Sequence, residues 1–105
     1  MNFLLHRHLA AAALGTPTAG LGAMLPDVWR MADRRARPSR DVAATQDERV
    51  AALLAGIDHH LDADRRFHAT EAFTRGERAV AEAVDRAAPS APRVRLFAHV
   101  LWELC

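Results

Sequence analysis

Lysine and tyrosine are absent from this chain of 105 residues, which also has one isoleucine and one cysteine. All 14 cationic side chains are arginine, and 23 residues are alanine. Alanine and leucine favour helices, whereas the β-branched and aromatic residues that favour strands are few, so the composition predicts an all-α protein. Cys105 alone forms no internal disulfide and no cysteine-rich zinc site, which is typical of a cytoplasmic protein.

Neither charge nor apolar sequence is concentrated enough to indicate a nucleic-acid or membrane partner. Fourteen basic and thirteen acidic residues give a net charge of +1, so no general attraction to polyanions is expected. No apolar run approaches the ~18–20 residues of a membrane span. The run Leu9 to Leu14 is shorter than the ~7–15 residues of a secretory signal core, and His6, Arg7 and His8 lie within the stretch rather than before it. We therefore expect a cytoplasmic protein without a signal peptide.

Helical periodicity predicts a single domain over residues 1–105, a compact bundle of about five helices. The predicted segments are 1–14, 18–25, 27–36, 45–68, 70–88 and a last one after Pro92. Gly15 and Pro26 are interpreted as breaks, and Thr45 with Glu48 fits a capping box. The apolar last segment reaches Cys105 without a cap. This indicates either the N-terminal portion of a longer protein or an exposed face that contacts another copy.

Three polar residues of the long predicted helix share one face because they are four residues apart: His60, Asp64 and His68. Adjacent members are ~6 Å apart along the axis and could hold one metal ion together. His60 and His68 are ~12 Å apart along the axis and could not bind the same ion, so His68 would need a second ion, a water or a substrate phosphate as its partner. The alternative is a solvated helix face with Asp–His pairs.

Further candidates lie on the other predicted helices. His6 and His8 point about 200° apart on a helix, so only one of them reaches a site, and the sequence leaves open which. His99 and Glu103 are one turn apart and could orient a metal ion or form a surface pair. Asp27 follows an apolar approach, either as a helix-capping residue or as an oxygen ligand for a hard cation.

The order and positions of these residues along the chain resemble those of the acyl carrier protein phosphodiesterases, which are hydrolases with a distorted HD-type phosphohydrolase fold. The matching blocks are Met1-Asn2-Phe3-Leu4-Leu5-His6-Arg7-His8-Leu9-Ala10, the Gly-x-x-Leu-x-Asp element at 22–27, Gly56-Ile57 with His60, Asp64 and Phe67-His68, and Leu-Phe-Ala-His-Val-Leu-Trp-Glu-Leu at 96–104. The resemblance implies an HD-domain-like bundle. Family members are considerably longer, so this chain would be the N-terminal portion of such an enzyme.

The resemblance also implies an activity, namely hydrolysis of the phosphodiester that joins 4′-phosphopantetheine to a serine of acyl carrier protein, with a divalent cation, Mn²⁺. The catalytic residues carried over are Asp27, His60 and Asp64. The metal ligands carried over are His6, His8, Asp27, His60, Asp64 and His99. The residues that would contact the substrate or the acidic carrier protein are His68, Arg30 and Arg34.

Two departures from the family pattern bear on this interpretation. Arg7 stands where an apolar residue is expected, and His68 stands where many members carry an acid. One alternative is an all-α metal phosphohydrolase that acts on another phosphoester, such as a nucleotide. The other is an inactive truncated remnant or an interaction module that dimerises through the exposed C-terminal helix.

Overall fold

The computed structural model describes residues 2–33, 35, 46–90 and 92–104, which form five α-helices. The helices are α1 (Phe3–Leu14), α2 (Pro17–Ala32), α3 (Glu48–His68), α4 (Glu71–Ala87) and α5 (Val94–Leu104). No strand occurs within these described ranges. The all-α class and the number of helices are therefore confirmed, while the likeness to an HD domain stays a prediction.

The chain divides into two compact units, and each is described by itself. The first unit, Asn2–Asp64, contains α1, α2 and most of α3. The second unit, Arg65–Cys105, contains the last turn of α3 with α4 and α5. The single domain expected over residues 1–105 stays a prediction.

Helix α1 ends where the sequence predicts. The side chain of Asn2 accepts a hydrogen bond from the Leu5 amide at 3.2 Å and starts the helix. Gly15 ends it in the left-handed conformation, with φ of 71°, and donates its amide to the Ala11 carbonyl. Glycine adopts this conformation without the steric cost that a side chain would bring, which explains why the helix ends at residue 14.

Helix α2 continues through Pro26, although the sequence predicts a break there between segments 18–25 and 27–36. That interpretation is wrong. Proline removes one helical hydrogen bond, but Pro26 is fully buried, and the packing of its ring offsets this loss. The helix ends at Ala32 rather than at residue 36, which lies outside the described residues. Its continuity places Asp27 one turn after Ala23 on the buried side of α2.

The capping of α3 differs from the predicted capping box. The side chain of Asp47 accepts hydrogen bonds from the amides of Arg49 at 2.9 Å and Val50 at 3.4 Å. Asp47 thereby satisfies amide groups that the first turn leaves free, and the helix begins at Glu48. Thr45, the predicted cap, lies outside the described residues.

Two glycines bring the backbones of α2 and α3 into direct contact within the first unit. A Cβ atom at Gly22 would overlap the carbonyl group of Leu53. One at Gly56 would overlap the carbonyl oxygen of Ala19 and lie 2.8 Å from the amide nitrogen of Ala23. Only a residue without a side chain fits at either position, and this close approach brings α2 within reach of the polar residues of α3.

In the second unit, α4 and α5 pack around Phe73, which is 3 % exposed, and Ala98. Helix α5 leaves four large apolar side chains exposed: Leu96, Phe97, Val100 and Leu101. The expectation that this face contacts another copy of the chain stays a prediction. Across the described part of the chain, no helix combines the length and hydropathy needed to cross a bilayer.

Candidate metal centre

Three side chains of the first unit converge, His6 from α1 with His60 and Asp64 from α3. Each offers one ligand atom, and these atoms lie within 4.8 Å of one another. His6 Nε2 is 3.0 Å from Asp64 Oδ1, and His60 Nε2 is 3.6 Å from Asp64 Oδ2. We call these three residues the first cluster. Two imidazoles and a carboxylate are donors that suit a divalent metal ion, so the set could hold one.

A backbone group of α2 orients His60, which is 2 % exposed. Its Nδ1 donates a hydrogen bond to the Ala23 carbonyl at 2.8 Å. In the neutral ring, this bond places the proton on Nδ1 and leaves the lone pair of Nε2 on the side of Asp64. A histidine held in this way by a carbonyl is the usual outer support of a metal ligand.

Three buried side-chain atoms of the first unit find no hydrogen-bond partner within the described ranges: His6 Nδ1, Asp27 Oδ2 and His59 Nδ1. Asp27 is 5 % exposed, and its negative charge helps to raise the pKa of His60. Buried polar atoms without partners are rare in proteins and call for an explanation. Asp27 is not one of the three mutually close residues, so its role as an oxygen ligand for a cation stays a prediction.

The charges of the first cluster stabilise one another. Burial opposes protonation of His60, but the neighbouring carboxylate of Asp64, the charge of Asp27 and the Ala23 carbonyl outweigh it, so the pKa of His60 is raised. Burial also opposes ionisation of Asp64. The hydrogen bond from His6 and the positive charge of both imidazoles outweigh it, and the pKa of Asp64 is held well below its usual range. Asp64 and His60 therefore each favour the charged form of the other.

These shifts predict how the stability of the metal-free chain depends on pH. A raised pKa at His60 adds stability that is complete below its ordinary value of ~6.5 and is lost as the pH rises above it. A lowered pKa at Asp64 adds stability that is complete above ~3.9 and is lost as the pH falls below it. We expect the urea midpoint in EDTA to be highest between about pH 4 and 6.5.

The control for this pH profile is Asp64→Asn, which removes one titrating group and the main charge acting on the other. The decline of the urea midpoint above about pH 6.5 should become shallower in this variant. A midpoint that rises above this pH in the unsubstituted chain, or the same decline in both proteins, would contradict the coupling between Asp64 and His60.

The structure separates the other predicted ligands. His6 points into the first cluster, whereas His8 is exposed and lies outside it, which answers the question that the sequence left open. Arg30 is exposed near the end of α2. Arg34 lies outside the described residues.

His99 is not a member of the first cluster, although the family resemblance implies that it shares a metal with those residues. It belongs to the second unit, where it forms a second cluster with His68 and Glu103, their ligand atoms again within 4.8 Å of one another. The i, i+4 pairing of His99 and Glu103 was visible in the sequence. Glu77 was missed: it lies on α4, and its Oε1 accepts a hydrogen bond from His99 Nδ1 at 2.9 Å. Nothing in the sequence marks a contact between residues 22 positions apart.

Comparison of the chain with models of protein families, with curated proteins and with solved structures finds no match. The resemblance to acyl carrier protein phosphodiesterases therefore remains an expectation from short sequence blocks, and the function is argued from the geometry of the residues.

Proposed function

We propose that this chain is a metal-dependent phosphodiesterase whose centre is the first cluster. The observation that carries the proposal is the meeting of His6, His60 and Asp64, from two helices, within ligand distance of one another. The buried, unpartnered oxygen of Asp27 adds a further donor in the same unit. An arrangement that served stability alone would be expected to satisfy its buried polar atoms.

In this proposal, His6, His60 and Asp64 hold the divalent ion, with Mn²⁺ as the expected metal. The bound ion supplies positive charge to the phosphoryl oxygens and makes water a stronger acid. The hydrogen bond from Nδ1 to the Ala23 carbonyl fixes the tautomer in which the neutral ring of His60 offers its Nε2 lone pair to the ion. Asp27 either completes the ligand set or accepts a proton from the attacking water, and both roles need its carboxylate.

The proposed substrate is the phosphodiester between 4′-phosphopantetheine and a serine of acyl carrier protein. Water adds to phosphorus, the bond from phosphorus to the serine oxygen breaks, and the serine hydroxyl recovers a proton. The order of the matching sequence blocks supports this substrate. Arg30, which is exposed, would contact the acidic carrier protein.

The experiment that tests the proposal is incubation of the chain with holo acyl carrier protein and Mn²⁺, with mass spectrometry of the carrier protein. We expect conversion to the apo form with release of 4′-phosphopantetheine, loss of this conversion in EDTA, and recovery with added Mn²⁺. A nucleotide phosphodiester serves as the comparison substrate. Turnover of that substrate alone would assign the metal chemistry to another phosphoester, and turnover of neither substrate by Mn²⁺-loaded chain would overturn the proposal.

Replacing Asp27 by asparagine keeps the size of the side chain and removes its charge. Because both proposed roles need the carboxylate, we expect kcat/KM to fall by roughly 10²–10⁴, the range for loss of a positioned acid or base. Asp33→Asn is the matched control, since Asp33 is an exposed carboxylate at the end of the same helix. Helix content from circular dichroism should match in the three proteins. Unchanged turnover in Asp27→Asn would remove Asp27 from the mechanism.

A further inference from the structure

The second unit holds a polar cluster that the proposed phosphodiesterase centre does not use. His68 ends α3, and His99 and Glu103 are one turn apart on α5. The Oε1 atom of Glu103 lies 2.8 Å from His68 Nε2 and 3.1 Å from His99 Nε2. All three ligand atoms therefore surround one small volume.

Glu77 fixes the orientation of His99 from the opposite side of the ring. Because its carboxylate accepts the Nδ1 proton, the neutral ring carries a lone pair on Nε2, and this lone pair faces the carboxylate of Glu103. Two electron-rich atoms 3.1 Å apart repel unless a proton or a metal ion lies between them. A carboxylate behind a histidine is the arrangement that commonly supports a metal-binding imidazole.

Phe73 holds both imidazoles in place. The centroid of its ring lies 4.6 Å from that of His68 and 5.3 Å from that of His99, and Phe73 is 3 % exposed. The two imidazole centroids are 5.0 Å apart. Since a buried aromatic side chain limits the rotation of both rings, little conformational entropy would be lost when they bind an ion.

The dimensions suit a small tetrahedral ion. Zinc at ~2.0–2.1 Å from each donor keeps its ligand atoms roughly 3.3 Å apart. The distances of 2.8 and 3.1 Å from Glu103 need to widen by only a few tenths of an ångström. About a third of each imidazole side chain is exposed, so an ion can enter and water can take a fourth position.

We propose that His68, His99 and Glu103 form a second metal site, specific for a first-row transition ion such as Zn²⁺, with Glu77 as the positioning residue of His99. Two histidines and one glutamate with a position open to solvent are the ligand set of several zinc hydrolases. This proposal does not depend on the phosphodiesterase activity or on the first cluster, which lies in the other unit.

The test is the number of zinc ions bound per chain, measured by equilibrium dialysis against Zn²⁺ alone. His99→Gln removes a ligand of the second cluster, and Asp64→Asn removes one of the first. We expect the His99→Gln protein to bind one ion fewer than the unsubstituted chain. If the first cluster does not bind zinc, the Asp64→Asn protein should bind as many zinc ions as the unsubstituted chain, while the His99→Gln protein should still bind one fewer. Equal zinc binding by the unsubstituted and His99→Gln proteins would overturn the second site.

A measurement on the unsubstituted chain covers the case in which His99→Gln does not fold. With ¹⁵N-labelled histidine, zinc should shift the Nε2 resonances of both His68 and His99, while the Nδ1 proton of His99 remains bonded to Glu77. Absence of these shifts at saturating zinc would overturn the proposal.

Glu77→Gln tests the positioning role. We expect it to weaken zinc binding at the second cluster by about 10–100-fold, the usual cost of losing an outer support. Glu71→Gln is the matched control, because Glu71 is an exposed glutamate of the same helix that pairs with Arg75. Equal affinities in the two variants would show that Glu77 does not position His99.

Discussion

Replacing Asp64 by asparagine is expected to abolish metal binding at the first cluster, and with it any metal-dependent hydrolysis. Asp64 is the only anionic member of that cluster, and it lies 3.0 Å from His6 and 3.6 Å from His60. The amide is nearly the same size but lacks the charge that compensates a divalent ion. Loss of an outer support costs about 10–100-fold in affinity, so loss of the charged ligand should cost more than about 100-fold. Isothermal titration calorimetry with Mn²⁺ measures this loss of affinity.

The matched control is Asp58→Asn, an exposed aspartate on the same helix. It changes the net charge by the same amount, so it accounts for general electrostatic effects on cation binding. We expect its Mn²⁺ affinity to stay within a few fold of the unsubstituted chain. Equal losses in the two variants would mean that the protein attracts Mn²⁺ through its overall charge, and the proposed centre would then be wrong.

Replacing Gly56 by alanine is expected to destabilise the first unit, although helix propensity alone predicts the opposite. In an exposed helix, this exchange stabilises by about 0.5–1 kcal/mol. Here the new methyl group would overlap the backbone of α2 at Ala19, which no side-chain rotation can relieve. Forcing an extra methyl group into a packed interface costs about 1–3 kcal/mol. The free energy of unfolding in urea should therefore fall, a large change for a chain with few large apolar residues.

Ala55→Ser is the control for this comparison, because Ala55 is exposed and adjacent in the sequence. Its effect should stay within about 0.5 kcal/mol. Since the overlap also moves α2 away from His60, Gly56→Ala should weaken Mn²⁺ binding as well as stability. A Gly56→Ala protein that is more stable than the unsubstituted chain would show that α2 and α3 do not meet at this glycine.

The sequence predicted the elements that depend on neighbouring residues. Gly15 ends α1, and Thr70 starts α4 with its side chain accepting the Phe73 amide, because capping is decided within one turn. The spacing of His60 and Asp64 placed both on one helix face for the same reason, and the structure brings them together. Periodicity and capping were therefore sufficient for the class of fold and for two of the three residues of the first cluster.

What the sequence could not predict depends on packing between helices. Pro26 reads as a helix break, and only its complete burial explains why α2 continues. The choice of His6 over His8 follows from the side of α1 that faces its neighbours, which two-residue spacing leaves open. His99 carries a carboxylate partner one turn away on its own helix, but its link to Glu77 crosses to another helix and leaves no trace in local spacing.

The hydrogen-bond acceptor that orients His60 is a main-chain oxygen, so no particular side chain is needed to supply it. A change of side chain at position 23 would leave that oxygen in place, provided the new residue still fits where Ala23 is fully enclosed. Natural variation would displace this oxygen chiefly by substitution of Gly22 or Gly56, the glycines that let α2 and α3 approach closely. Neither glycine has a side chain that could bind a metal. A mutational scan that interprets these glycines as important for stability alone would therefore miss their contribution to the metal centre.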